Sequence, residues 1–265
     1  MSVRRILLTG ASSGIGRALA LAYAGPGIHL LLIARNAARL AEVAGLCQAA
    51  GARIETASLD VRDEKAMQAR ILAWDAAAPI DLAIACAGIV SGTGEGRAVE
   101  TQAAVRTVLA TDLIGALNTI DPLLAPMLAR RAGHVAVVGS LAALRGFPSS
   151  PAYSAAKAGV HAYAEGIRPR LKRHGVAVSV IAPGFVETPF NSAVRAPRPM
   201  QMSPEAAARI IRRGLDRRRR MIAFPFTLYV GLRFLTLLPA SFGDWLLDRP
   251  GVEVPLAAEQ DPLQP

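Results

Sequence analysis

The sequence predicts an α/β fold in which a doubly wound parallel sheet of about seven strands carries helices on both faces, in three layers α/β/α. Short apolar runs rich in Val, Ile and Leu alternate along the chain with longer stretches rich in Ala and Arg. These runs are continuous rather than alternating with polar residues, as strands covered on both faces require. Helical stretches between such strands favour right-handed crossovers and hence a parallel sheet.

The individual elements follow from the same patterns. The predicted strands are 4–10, 28–35, 53–60, 81–88, 133–140 and 176–184, with a seventh at 219–225. The predicted helices are 14–24, 36–50, 63–77, 98–130, 151–174 and 203–216. The last helix begins at the start signal Ser203-Pro204-Glu205, after a proline-rich loop at 193–204. This order is that of a Rossmann-type layout.

Composition favours one domain with an aliphatic core. The chain has 265 residues, of which 52% are hydrophobic and only 5% aromatic. We divide it into a main domain at 1–220, an apolar C-terminal extension at 221–250 and a flexible tail at 251–265. The apolar stretch of "MSVRRILLTG" is too short for a signal peptide. Cys47 and Cys86 form no metal-ligand cluster and fit a reducing compartment, so we expect a cytoplasmic protein without a bound metal.

The net charge is +10, and the arginines concentrate in "RIIRRGLDRRRR" at 209–220. Such a cluster attracts phosphates, nucleic acid or an anionic membrane surface. It lies beside an apolar segment and lacks interleaved aromatic residues or a nucleic-acid-binding motif. We therefore expect no nucleic-acid partner.

A glycine-rich turn follows the first predicted strand. The stretch "TGASSGIG", residues 9–16, places Gly10, Gly14 and Gly16 where a tight turn and a closely approaching pyrophosphate leave no room for a Cβ. A glycine motif alone is weak evidence, but its position between a strand and a helix is the one that a dinucleotide site needs.

A tyrosine and a lysine stand four residues apart in "PAYSAAKAGVHAYA". On a helix, this spacing puts Tyr153 and Lys157 on one face. A phenol ordinarily titrates near pH 10, so we expect the ammonium, together with the positive charge of an oxidised dinucleotide cofactor, to lower the pKa of Tyr153 toward the working range. Ser140 follows a strand ending "VVGS", which puts its hydroxyl at the carboxyl edge of the sheet, where open α/β folds place their ligands.

These motifs together resemble the short-chain dehydrogenase/reductase family, from Arg5 to about Arg217. The glycine turn matches the family's TGxxxGxG, and Ser140 precedes "YSAAK" by 13 residues. "LD" at 59–60 resembles its adenine-contacting Asp, "ACAG" at 85–88 its NNAG element, and "PGFVET" at 183–188 the segment that holds the nicotinamide carboxamide.

The resemblance implies an oxidoreductase that interconverts a ketone or aldehyde and an alcohol by hydride transfer. It implies that Tyr153 exchanges the proton, that Ser140 hydrogen-bonds the substrate oxygen, and that Lys157 also holds the nicotinamide ribose. The implied cofactor-binding residues are Gly10, Ser12, Ser13, Gly14, Ile15, Gly16, Arg35, Asp60, Val61, Ala87, Gly88, Tyr153, Lys157, Pro183, Gly184, Val186 and Thr188. The alternative is a non-catalytic dinucleotide-binding regulatory protein, which would not need the three catalytic side chains together.

Two positions depart from the family pattern. Asp112, in "TDLIG", stands where the family has the Asn of its NxxG pattern, its fourth catalytic residue. That position supports a water through its backbone carbonyl, which Asp still permits, while the charge of Asp112 is expected to act on Lys157. Ala85 and Cys86 replace both Asn residues of NNAG, and we interpret Cys86 as a buried small side chain rather than a reactive thiol.

The end of the second strand bears on the choice of cofactor. A site for NAD usually has an acid there, whereas "LLIARN" offers Ala34 and Arg35. Because a guanidinium suits a 2′-phosphate, we predict a preference for NADP(H). With NAD(H), the alternative, Arg35 would simply be a solvated residue at a strand end.

An apolar segment, residues 221–248, follows the basic cluster. Pro225, Arg233 and Pro239 interrupt it, which argues against a membrane-spanning helix. It is interpreted either as a lid or oligomer contact over the substrate cleft, or as an interfacial element touching a membrane through 217–240, with the arginines facing anionic headgroups. Both interpretations favour a hydrophobic carbonyl or alcohol substrate.

Small residues are frequent on the predicted helix 151–174, and they permit close helix packing. They are Ala152, Ala155, Ala158, Gly159 and Ala162. The resemblance implies a homodimer or homotetramer formed through this helix and the long helix before it. The alternative is that these residues pack only against their own sheet.

Overall fold

The computed structural model describes residues 4–94, 97–188, 197–247 and 254, and its centre is a seven-stranded parallel sheet. The strands are β1 Arg5–Thr9, β2 His29–Ala34, β3 Arg53–Ser58, β4 Leu82–Ala85, β5 Gly133–Val138, β6 Val176–Pro183 and β7 Met221–Phe224. Their order is β3-β2-β1-β4-β5-β6-β7, with every neighbouring pair parallel. The winding reverses between β1 and β4, so a ligand crevice lies beyond their carboxyl ends. The predicted fold is confirmed.

The helices cover both faces of the sheet. They are α1 Gly14–Tyr23, α2 Ala37–Ala49, α3 Glu64–Ala77, α4 Gln102–Val108, α5 Gly115–Ala129, α6 Pro151–Arg173, α7 Pro204–Asp216, α8 Phe226–Leu235 and α9 Ala240–Leu247. Asn36, Asp63 and Ser203 begin α2, α3 and α7 by accepting a hydrogen bond from the backbone N–H three residues on. These starts agree with the predicted ones to within a residue.

The connection between β4 and β5 differs from the single helix predicted for 98–130. The helix begins at Gln102, where the Thr101 hydroxyl accepts from the Ala104 N–H at 3.2 Å. A π-helical turn, Leu109–Ile114, then separates α4 from α5. Apolar periodicity did not reveal this turn, because one extra residue in a turn barely changes the spacing of apolar positions. Such turns are frequent at functional sites, and this one contains the buried Asp112.

Two hydrophobic cores lie on opposite faces of the sheet. Alternate residues of each strand point to opposite sides, so Ile6 and Leu8 enter one core and Leu7 enters the other. The first core packs against α1, α2 and α7, and the second against α3, α5 and α6. The central strands are therefore buried on both faces, as their continuous apolar runs predicted, whereas the edge strand β3 is exposed at Arg53, Thr56 and Ser58.

The C-terminal extension wraps over the carboxyl edge of the sheet. The arginines 217–220 lie in the turn that enters β7, whereas α8 leaves the other end of that strand. Four strand residues span about 13 Å. The basic cluster and α8 therefore stand at opposite ends of β7.

No element of the described extension is long enough to span a bilayer. The helices α8 and α9 have 10 and 8 residues, whereas a span needs about 20. Among the described residues, one continuous helical stretch, 102–129, has the length and hydropathy for a span, and half of its most apolar window is buried inside the fold. That stretch is the crossover between β4 and β5.

Of the predicted tail 251–265, the structure describes Val254. It is buried, packs with Val90 and Tyr153, and accepts a hydrogen bond from the Gly94 N–H at 3.0 Å. Its neighbours in the tail, residues 248–250 of the extension and 193–196 of the proline-rich loop lie outside the described residues.

Candidate active site

The three predicted catalytic side chains meet at the carboxyl ends of the central strands. Ser140 follows β5, and its Oγ accepts from the Ala142 N–H at 3.1 Å at the start of a short 3-10 turn. Tyr153 lies in the first turn of α6 and shares a hydrogen bond with Ser140. Lys157 lies one turn further along, with its Nζ 5.6 Å from the centre of the Tyr153 ring. The predicted juxtaposition is thus present in the fold.

Lys157 is buried, and two oxygen atoms hold its ammonium. Its Nζ donates to the Val138 carbonyl oxygen at 3.0 Å and lies 3.0 Å from Oδ2 of Asp112. Burial, the largest single effect, lowers the pKa of Lys157, but the opposing effects of Asp112, Tyr153 and Cys86 together raise it. Lys157 therefore keeps its charge at neutral pH.

Asp112 reaches this site from the π-helical turn. It is fully buried, and its Oδ1 accepts from the Ile89 N–H at 2.8 Å. Burial raises the pKa of Asp112, whereas Lys157 and the Ile89 N–H stabilise its ionised form. Asp112 does not line the cavity described below, and it acts on that site through its ion pair with Lys157 and through the charge of its carboxylate.

The pKa of Tyr153 is raised in this structure, although Lys157 contributes to lowering it as expected. Burial is the largest cause, because it disfavours the phenolate, and the Asp112 carboxylate raises the pKa further. Lys157 and the hydrogen bond with Ser140 act in the opposite direction but do not prevail. In this environment the Tyr153 phenol is neutral at physiological pH.

The glycine turn has the geometry that a dinucleotide needs. Gly10 and Gly14 have φ angles of +68° and +52°, in the left-handed region that favours glycine. A Cβ on Gly16 would lie 2.1 Å from the Gly10 carbonyl oxygen. The turn leads directly into α1, whose unpaired N–H groups favour a phosphate. The chain therefore fits a nucleotide pyrophosphate at this point.

One cavity of about 1520 Å³ joins the glycine turn to the catalytic side chains. The predicted site residues on its wall are Gly10, Ser12, Ser13, Gly14, Ile15, Gly16, Arg35, Asp60, Val61, Ala87, Gly88, Ser140, Tyr153, Lys157, Pro183, Gly184, Val186 and Thr188. Of the site residues predicted from sequence, Asp112 alone lies behind the wall. The structure thus brings these residues together, and their individual roles remain predictions.

The end of the cavity beside β2 is basic. Arg35 and Arg39 both line it, and Arg39 was not predicted from sequence. Asp60 lies opposite and is clamped by Arg62, whose guanidinium contacts both carboxylate oxygens at 2.6–3.0 Å. Burial opposes ionisation of Asp60, but the hydrogen bonds and charge of Arg62, aided by the charge of Arg35, lower its pKa. Asp60 is therefore ionised and fixed in position.

Cys86 lines the cavity without the properties of a reactive thiol. Burial raises the pKa of Cys86 to about 12, so the thiolate is negligible at neutral pH. The N–H groups of Cys86 and Ala87 donate to Oγ1 of Thr9 at 3.1 and 3.3 Å, which fixes the end of β4 beside the glycine turn. Among the described residues, no group of three or more His, Cys, Asp or Glu side chains could hold a metal ion.

One further contributor was missed from sequence, whereas a second belongs to the apolar segment that we interpreted as a lid or oligomer contact over the substrate cleft or as a membrane-surface element. Oε2 of Glu100 accepts from the Ala152 N–H at 2.8 Å and so caps α6, the helix that carries Tyr153. Apolar side chains of α8 and α9 line the outer part of the cavity, including Leu228, Leu232 and Leu246. No local signal identifies Glu100, because its partner lies 52 residues away.

Comparisons with known proteins agree with this geometry. The family model described as "short chain dehydrogenase" matches residues 4–199. An uncharacterized oxidoreductase of Myxococcus xanthus is 37% identical over 245 residues, which cover 92% of this chain and 96% of that protein.

Solved structures share the fold. A short-chain dehydrogenase from Sphingobium yanoikuyae in complex with NADPH superimposes with a TM-score of 0.77 and 24% identity, covering 93% of this chain and 97% of that one. A short chain dehydrogenase/reductase from Burkholderia phymatum in complex with NAD gives a TM-score of 0.79 and 23% identity, covering 96% and 99%.

Proposed function

Because the chain belongs to the short-chain dehydrogenase/reductase family, we propose that it interconverts a hydrophobic ketone or aldehyde and its alcohol, using NADP(H). The observation that carries the proposal is the meeting of Ser140, Tyr153 and Lys157 on the wall of the cavity that begins at the glycine turn. The nicotinamide dinucleotide supplies the hydride.

In the proposed carbonyl reduction, Ser140, Tyr153 and Lys157 have different roles. The Ser140 hydroxyl donates a hydrogen bond to the carbonyl oxygen, and the Tyr153 O–H gives that oxygen its proton as the alcohol forms. The neutral phenol suits this direction, because it already carries the proton. Lys157 stabilises the phenolate left behind, since its ammonium lies against the Tyr153 ring.

The preference for NADP(H) rests on the basic end of the cavity. Arg35 and Arg39 stand at its wall beside β2, where a 2′-phosphate would accept charge-assisted hydrogen bonds. No acidic side chain stands at the end of β2, where an NAD site would use one.

The hydrophobic substrate is inferred from the outer part of the cavity. Its charged lining residues, Arg35, Arg39, Asp60, Arg62 and Lys157, all belong to the dinucleotide end or the catalytic centre. The walls contributed by α8 and α9 are mainly aliphatic and aromatic. The volume exceeds the range of about 300–1,000 Å³ typical of single-ligand pockets, which leaves room for a second molecule beside the dinucleotide.

We also propose a cytoplasmic homodimer or homotetramer. On α6, Ala152 and Ala156 are buried against the protein's own core, whereas Ala155 and Ala162 are exposed and leave a smooth face for a second helix. The two cysteines are free, which fits a reducing compartment.

Replacing Tyr153 by Phe tests the reaction. With a series of ketones and aldehydes graded by chain length, Tyr153→Phe should slow NADPH oxidation at least about a hundredfold, while the Kd for NADPH stays within about threefold. The control is Tyr163→Phe on the same helix, which removes a hydroxyl that donates to Asp121 at 2.6 Å. Turnover by Tyr153→Phe within tenfold of the wild type contradicts the mechanism. No turnover by the wild type with either cofactor, despite tight binding, would favour the regulatory alternative.

A further inference from the structure

The helices α8 and α9 are apolar on both of their faces. Leu228, Leu232 and Leu235 of α8 point to the cavity and the adjoining core. The opposite face carries large apolar side chains in solvent: Phe226 is 71% exposed and Phe234 61%. These two residues are eight apart, so they lie on one side of the helix. An apolar face of this kind normally has a partner.

The same exposed surface continues past the end of α8 onto α9. Leu237, in the connection, is 79% exposed and Trp245 on α9 is 73% exposed. The ring of Trp245 lies 5.7 Å from that of Phe242, which is also exposed. We call the exposed side chains of Phe226, Val230, Phe234, Leu237, Phe242 and Trp245 the apolar rim.

Two side chains of the apolar rim reach the substrate cavity. Phe234 and Phe242 are exposed to solvent and also line that cavity, one from each helix. A molecule that enters between them passes from the apolar rim to the apolar outer wall without crossing a charged side chain of the described lining. The rim and the cavity therefore form one continuous apolar surface.

The charges around the apolar rim are positive. Arg233 is exposed on α8, and Arg145 reaches the neighbouring α9. The described residues from 217 to 247 include one acid, Asp244, and it is ion-paired with Arg145. The protein as a whole carries a formal charge of +10. This balance complements an anionic surface.

We propose that the apolar rim inserts into the interfacial layer of an anionic lipid bilayer and that the uncharged carbonyl or alcohol substrate enters the cavity from the membrane. Apolar and aromatic side chains beside basic ones are the composition of interfacial helices, and Trp prefers the headgroup level. A second copy of the chain seated here would close the mouth of the cavity, whereas a bilayer keeps it open to a lipid-soluble substrate. The proposed binding to the bilayer is argued from the apolar rim alone, whereas the proposed delivery of the substrate rests on the proposed function.

Vesicle co-sedimentation of the full-length chain tests the binding. We expect the wild type to sediment with vesicles of phosphatidylcholine and phosphatidylglycerol at 3:1, and more weakly with phosphatidylcholine alone. The triple variant Phe226→Ser/Leu237→Ser/Trp245→Ser should lose at least about tenfold in affinity, because these side chains supply the inserted area. None of the three lines the cavity, so turnover of a short, water-soluble ketone without vesicles should be unchanged.

The matched control is Leu46→Ser/Leu72→Ser/Val99→Ser, which removes three exposed apolar side chains far from the rim in sequence. This control should sediment like the wild type. Equal sedimentation of the rim variant and the wild type, or no sedimentation of the wild type, overturns the proposal. A rim variant that changes oligomeric state in gel filtration while its vesicle affinity is unchanged would assign the rim to a second copy instead. Because sedimentation needs no turnover, its failure is distinguishable from failure of the proposed reaction.

Discussion

The Lys157 ammonium lies 3.0 Å from the Asp112 carboxylate, and both groups are buried. In a buried site two opposite charges at this distance interact strongly. The pairing holds Lys157 charged but offsets part of the positive field that Tyr153 experiences. From behind the cavity wall, Asp112 thus acts on Tyr153 both through its ion pair with Lys157 and directly through its charge.

Replacement of Asp112 by Asn should move the pH dependence of carbonyl reduction. Reduction requires the protonated phenol, so activity falls as pH rises through the pKa of Tyr153. Asp112 raises that pKa, and an amide does not, so the alkaline limb should move to lower pH. The measurement is kcat/KM for reduction from pH 6 to pH 11.

The control for this change is Asp121→Asn, which neutralises an exposed acid on α5. Its profile should overlay that of the wild type. If Asp112→Asn lowers the activity but leaves the alkaline limb of the pH profile in place, Asp112 serves only to hold the π-helical turn.

Removing Arg35 and Arg39 should weaken NADPH binding selectively. Each hydrogen bond to a charged group contributes about 1.5–3 kcal/mol, so Arg35→Ala/Arg39→Ala should raise the Kd for NADPH at least about tenfold. The Kd for NADH should change little, because NADH lacks the 2′-phosphate. Arg213→Ala, which removes an exposed arginine of α7, is the control. If the wild type binds NADH more tightly than NADPH, and the double variant shows the same preference, the assignment of NADP(H) is refuted.

Gly16→Ala should damage the dinucleotide end. The new Cβ would lie 2.1 Å from the Gly10 carbonyl oxygen. Neither the Gly10 backbone nor the backbone of residue 16 can move away without distorting the turn. Overpacking of this kind costs about 1–3 kcal/mol, so we expect lower thermal stability and at least tenfold weaker NADPH binding. Gly45→Ala on α2 is the matched control, because its Cβ would meet no atom within 4 Å. Unchanged cofactor affinity in Gly16→Ala would remove the turn from the binding site.

Much of the framework was predictable because it depends on local signals. Continuous apolar runs predicted all seven strands, and caps such as Asn36 and Asp63 marked helix starts. The glycine turn and the Tyr153 and Lys157 pair are short motifs whose geometry follows from a single turn or helix.

The remainder depends on contacts between distant parts of the chain. The Asp112 and Lys157 pair joins residues 45 positions apart through a π-helical turn that has no distinct apolar period. The raised pKa of Tyr153 was not foreseen, because sequence spacing shows the nearby ammonium, which lowers that pKa, but not the burial that outweighs it. The paths of α8 and α9 across the cavity likewise depend on packing against Leu141 and Ala182 rather than on their own sequence.

Gly231→Leu should restrict the length of substrate that the enzyme accepts. Gly231 of α8 lines the cavity, and a Cβ there would meet no atom within 4 Å, so a larger side chain fits without strain but narrows the outer part. We expect kcat/KM for long-chain ketones to fall at least about tenfold relative to short ones. Gly45→Leu controls for the gain in helix propensity. An equal fall in kcat/KM for short and long ketones would mean that the substrate chain does not bind beside Gly231.

Acid should destabilise the fold through its buried histidines, of which His134 is the clearest. It is 1% exposed, and its Nε2 lies 2.8 Å from the Ser179 hydroxyl. Burial, with the charge of Arg218, lowers its pKa from 6.5 to about 4. The unfolded chain therefore binds the proton first, so this contribution to stability is present above pH 6.5 and is lost as pH falls toward 4. Between pH 8 and pH 5 the loss of stability from this one group is about 2 kcal/mol.

Urea unfolding at pH 8 and pH 5 tests this prediction. Between those two pH values His134→Gln, whose amide can still pair with Ser179, should lose about 2 kcal/mol less stability than the wild type. The exposed His174→Gln should behave like the wild type, and an identical pH dependence for all three proteins would mean that His134 is not held neutral.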